Sequence, residues 1–96
     1  MGSYKLSFKA RMDLKKIYKY TLLNFGHNQA RTYLNKFTNS FLALAQTSIQ
    51  GRKADIFKKG LRRLEVGSHI VFYFQKSNEV IIVRVLHSNM DIQKYF

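Results

Sequence analysis

The chain has 96 residues, with seventeen lysines and arginines against five acids, a formal net charge of +12 and no cysteine. That length suits one domain, 1–96, able to bury roughly 60–65% of its unfolded surface without staples, and the missing thiols exclude disulfides and thiolate chemistry. No apolar run approaches the ~20 residues needed to span a bilayer, no signal-peptide core is expected, and so positive a surface attracts polyanions; the expected setting is the cytoplasm, with no membrane partner.

Taken in chain order, Tyr4–Phe8 (YKLSF) alternates and predicts a first short strand. Ser7 precedes a helical pattern and serves as its N-cap. Ala10, Leu14, Ile17, Tyr18, Thr21 and Phe25 fall on one arc that should face a sheet. Gly26 suits the left-handed position that ends a helix. A second helix starts near Asn28, with Ala30, Tyr33, Leu34, Phe37, Phe41, Leu44 and Ala45 on its core face. Only Gly26 and His27 separate the two, so they must form an antiparallel hairpin. Gln46–Lys59 (QTSIQGRKADIFKK) has no period and predicts a loop close to the upper limit for a structureless connection.

Three strands follow: LRRLEV, HIVFYFQ and VIIVRVL. Gly67-Ser68 predicts a two-residue type II′ hairpin with Gly67 at positive φ, and Lys76-Ser77-Asn78 makes the second turn. The second and third runs are apolar on both faces, as central strands covered on both sides would be. Arg84 interrupts the last of them. A charge there is costly unless its face is open or the charge is paired, so the face bearing Val80, Ile82, Arg84 and Leu86 is expected to be partly open. The predicted fold is α+β, ordered β-α-α-β-β-β, with a helical hairpin on one face of a small, mainly antiparallel sheet.

Chemistry is harder to place. Cutting RNA without a metal needs a proton-transfer group and cations aimed at the phosphate. Arg62, Arg63 and Arg84 supply cations from the meander, and His87, just after the last strand, is the candidate for proton transfer. Glu65 shares a side with Leu61 and Arg63, not with Arg62, so the set is incomplete. His27 and His69 match no zinc spacing, and neither a glycine-rich phosphate loop nor a Ser/His/Asp arrangement can be assembled. No metal and no cofactor are expected. The outward side of the first helix carries Met12, Lys16, Tyr20 and Leu23 in one band with Lys9 alongside, which suits an acidic amphipathic partner segment. Met90-Asp91 is expected to pin the tail, and Arg52, Lys53, Lys58 and Lys59 to form a solvated face adding long-range attraction.

Several stretches together carry a resemblance. Asp13-Leu14, Ile17, Tyr20-Thr21, Phe25-Gly26, Gln29-Ala30, Tyr33-Leu34 and Gly60-Leu61-Arg62, then VGSHxxFY from Val66 and VRVLHxxMD from Val83, resemble the ParE branch of the RelE/ParE toxin superfamily. The likeness spans nearly the whole chain. The first helix departs from it, with Phe8 where the family commonly has proline and Met12 and Lys15-Lys16 where it has acids. The resemblance implies a toxin neutralised by direct binding of a cognate ParD-like antitoxin, in a toxin–antitoxin hetero-oligomer. ParE-type toxins act on DNA gyrase by stabilising its cleaved-DNA state; RelE-type relatives cut messenger RNA in the ribosomal A site. In the first case Arg62, Arg63, Arg84 and His87 would face gyrase and its bound DNA. In the second, His87, Arg62 and Arg84 would be catalytic. In both, Met12, Lys16, Tyr20 and Leu23 would meet the antitoxin.

Overall fold

The computed structural model describes residues 2–96. Strand β1 (Ser3–Leu6) leads into helices α1 (Phe8–Phe25) and α2 (His27–Ala45). The two-residue β2 (Arg52–Lys53), β3 (Arg62–Val66), β4 (His69–Gln75) and β5 (Glu79–His87) follow, then a 3-10 helix, Ile92–Tyr95. The sheet order is β1-β5-β4-β3-β2, with β1 parallel to β5 and every other pairing antiparallel. The hairpin-on-sheet architecture therefore stands, with one strand more than the sequence suggested. β2 was hidden because two cationic residues carry no apolar alternation; Arg52 and Lys53 pair opposite Arg63 and Arg62.

Phe8 belongs to α1 and not to β1, because Ser7 ends the strand. Its Oγ accepts from the Ala10 N–H at 3.0 Å as an N-cap and donates to the Val83 carbonyl at 2.8 Å. Its own N–H reaches the Ile82 carbonyl at 2.9 Å. One serine thus starts the helix and fastens it to β5. A single residue, Gly26, joins the helices, and His27 already lies within α2. Gly26 has φ 89° and ψ 175°, a region open essentially to glycine alone. This corrects the expected left-handed geometry: φ is positive but ψ is extended. The Gly26 N–H caps Leu22 at 3.0 Å while its carbonyl accepts from Ala30 at 3.1 Å.

The core has two layers. On the helix side, Ala10, Phe37, Phe41 and Leu44 pack against Val71, Tyr73, Val80, Ile82 and Val85. On the far side, Ala54, Leu61 and Ile92 cover Ile70, Phe72 and Leu86, with Phe57 beside them. The segment predicted as a structureless loop and the C-terminal tail therefore form the second lid of the sheet. The terminal Phe96 ring lies 5.1 Å from Phe72 and 6.3 Å from Phe57. Two predicted core positions on the helices are corrected: Phe25 is 66% exposed and Leu34 lies at the surface.

The register of β5 explains a larger correction. Arg84 stands opposite Phe72, while Tyr73, the next residue of β4, stands opposite Ile82. Val83 is therefore an extra residue, a β-bulge. Past it the alternation is reset: Val80, Ile82 and Val85 face the helices, whereas Leu86 faces the opposite lid. The expected open face of Val80, Ile82, Arg84 and Leu86 does not exist. In the β3–β4 turn, Gly67 has φ 59° and Ser68 is not in the positive-φ region, as a type II′ hairpin requires. A Cβ on Gly67 would come within 2.8 Å of the Tyr33 ring.

Candidate functional site

β1 ends at Leu6, opposite Ile82, so among the described residues no strand neighbours the outer edge of β5 beyond that point. Helix α1 covers it and supplies Asp13, only 7% exposed. The Asp13 carboxylate accepts Arg84 Nε–H and Nη2–H, each at 2.8 Å, and the Val85 N–H at 2.9 Å. This is the planar two-point pairing that guanidinium and carboxylate geometry favours. The Asp13 hydrogen bonds hold the Arg84 pKa above the ordinary arginine value, against the opposing effect of burial. The guanidinium carbon also sits 5.1 Å from the Tyr95 ring centre, within cation–π range. Arg84 is thus paired, and its partner is Asp13. Glu65 bonds Arg52 and lies 3.7 Å from Arg63.

Beside this clamp opens a cavity of about 520 Å³. Lys16, Ile17, Tyr20, Thr21 and Phe25 of α1 form one wall, Gln29 and Tyr33 of α2 another. Arg84, His87, His69, Met90 and Tyr95 close the far side. A largely apolar hollow with a few converging polar groups is the usual form of a binding site. His69 Nδ1 lies 2.6 Å from the Tyr33 hydroxyl, which is also 3.2 Å from the Val66 carbonyl. The His69 and His87 rings meet edge to face at 5.0 Å. Burial, and secondarily His87, lower the His69 pKa to about 4. At neutral pH His69 is therefore an uncharged, tethered ring. Among the described residues no cluster of three or more His, Cys, Asp or Glu side chains is placed to hold a metal.

The four residues predicted to face a target do not converge. Arg62 and Arg63 point to opposite sides of β3. Arg62 is opposite Tyr73, on the helix side, and donates through Nε and Nη2 to the Gly51 carbonyl at 3.3 and 3.0 Å. Gly51 in turn donates its N–H to the Tyr73 hydroxyl at 2.7 Å, so Arg62 fastens the segment after α2. Arg63 lies over Phe72 on the far lid, 5.9 Å from the ring centre. Only Arg84 and His87 share the cavity.

Met12, Lys16, Tyr20 and Leu23 are all exposed. Phe8, one turn before Met12 and also exposed, lengthens the apolar band. Lys16 and Tyr20 reach the cavity rim. Met90 folds back so that its sulfur lies 3.3 Å from the His87 backbone nitrogen, while Asp91 is exposed; the buried Ile92 anchors the tail more firmly than either.

Sequence reasoning missed Asp13 as the centre of this arrangement. The signal was present: Asp13 is the sole acid in α1, and Arg84 is the sole charge within the apolar run of β5. Two misplaced charges of opposite sign are candidates for each other. The Tyr33–His69 contact left no such signal, since Tyr33 reads simply as a core aromatic.

A family model described as the ParE toxin of the type II toxin-antitoxin system, parDE, matches residues 4–92. The chain belongs to the ParE toxin family. Toxin ParE1 of Caulobacter vibrioides is 33% identical over 99% of this chain and 98% of its own length. Toxin ParE1 of Mycobacterium tuberculosis is 35% identical over 95% of this chain and 94% of its own. A structure from the chromosomal ParDE TA system of P. aeruginosa superposes with a TM-score of 0.76 at 23% identity, covering 91% of this chain and 96% of that one. A YafQ variant from E. coli gives 0.56 at 14% identity over 91% and 93%. These two structural likenesses concern the fold; the ParE membership rests on the sequence match.

Proposed function

We propose that this ParE-family chain inhibits DNA gyrase by stabilising its cleaved-DNA complex, and that a ParD-like antitoxin masks it by laying an acidic amphipathic segment along α1. The observation that carries this reading over a ribonuclease is the commitment of Arg84. RNA cleavage needs a cation free to meet a phosphate beside the proton-transfer group. The guanidinium nearest His87 already gives two N–H groups to Asp13, and a carboxylate 2.8 Å from it repels an incoming phosphate. Arg62 and Arg63 stand away from His87, on two faces of β3. An inhibitor that acts by binding needs no such convergence. In this reading Arg63, on the far side of the sheet, is the target-facing arginine; Arg62 fastens the segment after α2, and Arg84 and His87 hold the shape of the cavity wall. The antitoxin half rests on the exposed band of Met12, Lys16, Tyr20 and Leu23.

The test is a pair of assays on the purified protein. The first is gyrase supercoiling with detection of linearised plasmid; the second is a translation extract with mapping of messenger RNA ends. Linear plasmid with intact messages is the expected result. Ribosome-dependent cuts within codons, with supercoiling untouched, would replace this reading with the RelE-type one.

A further inference from the structure

The segment between β2 and β3 is a closed turn, stiffened from several sides. The Ala54 N–H bonds the Leu61 carbonyl at 2.8 Å, Phe57 bonds Ala54 at 3.1 Å, and Leu61 bonds Lys58 at 3.0 Å. The Asp55 carboxylate accepts the Gly60 N–H at 2.8 Å. Its base is set in the far lid by Ala54 and Leu61, both buried, and by the Phe57 ring 6.0 Å from Phe72. At its tip stands Ile56, 85% exposed, the most exposed large apolar side chain among the described residues. Lys58 and Lys59, two and three residues further along the same turn, are exposed as well. A scattered surface isoleucine needs no explanation. One held out on a hydrogen-bonded turn that also carries exposed lysines is different, because its bound conformation is already set and little ordering entropy remains to be lost on contact.

We infer that the 53–61 turn is the knob by which this protein docks on its target, with Ile56 entering an apolar socket on an acidic protein surface and the lysines facing the acids around it. The inference rests on the proposed function, in which that target is gyrase. Charge complementarity names the partner's sign. The exposed aliphatic side chain of Ile56 favours a protein over a phosphate backbone, since its burial needs an apolar socket, while the Asp55 carboxylate is engaged within the turn by the Gly60 N–H. The knob is continuous with Arg63 and Arg52, which lie on the same side of the sheet.

The experiment compares wild type, Ile56→Ser and the double variant Lys58→Glu/Lys59→Glu in gyrase affinity and in linear-plasmid yield. Melting temperature and antitoxin affinity serve as controls, and a duplex-DNA binding arm is run without gyrase. Because Ile56 makes no core contact, the serine variant keeps its melting temperature and its antitoxin affinity. Its gyrase affinity falls about tenfold, the scale of one lost apolar anchor, and the charge-reversed variant loses at least as much. Unchanged gyrase affinity in Ile56→Ser, with an active wild type, overturns the knob and leaves the gyrase reading standing. A wild type inert toward gyrase overturns both. Tight binding of bare duplex that Ile56→Ser abolishes overturns the protein partner in favour of nucleic acid.

Discussion

Replacing Asp13 with alanine removes the acceptor of three hydrogen bonds at once and leaves two different groups without a partner. Truncating one member of a buried ion pair costs about 3–5 kcal/mol, and a buried N–H left unbonded costs about 1–3 kcal/mol. Here the orphaned N–H is that of Val85. The Arg84 side chain is 15% exposed and lines an open cavity, so water can reach the freed guanidinium, which pulls the total toward the low end. The expected loss is about 3 kcal/mol, or a fall in melting temperature of roughly 12–24 °C for a domain of this size. Urea midpoints measure it directly. Asp13→Asn keeps one oxygen for Val85 but loses the charge and turns an NH2 donor toward the guanidinium, so it should fall between alanine and wild type. A double-mutant cycle with Arg84→Met isolates the pair, with an expected coupling of about 2 kcal/mol. A loss under about 1 kcal/mol in Asp13→Ala, or no coupling in the cycle, would refute the clamp as a stabilising element.

Other expectations follow from the same structure. Thr47 sits at φ 57° just past α2, with its N–H on Leu44 and the Ser48 N–H on Ala43, each at 3.1 Å. A β-branched residue is poorly suited to that left-handed helix-ending position, so Thr47→Gly should stabilise the protein by about 0.5–1 kcal/mol, read as a higher urea midpoint. Folding depresses the His69 pKa to about 4 from an ordinary 6.5, so below pH 6.5 the unfolded chain binds the extra proton. Stability should be level above about pH 6.5 and fall as pH drops toward 4; His69→Gln should flatten that part of the profile, and an equal slope in both proteins would contradict it. Met12→Glu and Leu23→Glu should each weaken antitoxin binding about tenfold by calorimetry at an unchanged melting temperature, whereas unaltered affinity removes that helix face from the interface.

Helices were the easiest part to read because their periodicity and caps are local. Ser7, the apolar arc through Ala10 and Ile17, and Gly26 gave both their limits and their hairpin without any tertiary information. The meander was legible for the same reason, through Gly67-Ser68 and the dense β-branched and aromatic runs of β4 and β5. What escaped was non-local. Val83 looks like any strand valine, and only the pairing with β4 reveals that it is the extra residue that turns Leu86 to the opposite side. The segment from Gln46 to Lys59 has no period because its few anchors, Gly51, Ala54 and Phe57, are each held by a partner distant in sequence. For the site, Arg84 was singled out because it broke an apolar pattern. Its partner was not, because a single acid on a helix carries no sign of which strand will lie beneath it.

The carboxylate of Asp13 has a consequence for how other molecules can grip this end of the sheet. An exposed strand flank ordinarily invites a foreign segment to pair with it backbone to backbone. Here the donor at Val85 is already taken by a side chain from the protein's own helix. An intruding strand would have to evict that oxygen and strand the arginine beside it. A ligand approaching here is therefore read by its side-chain shape and charge, so its recognition depends on sequence and not merely on a capacity to form β-structure.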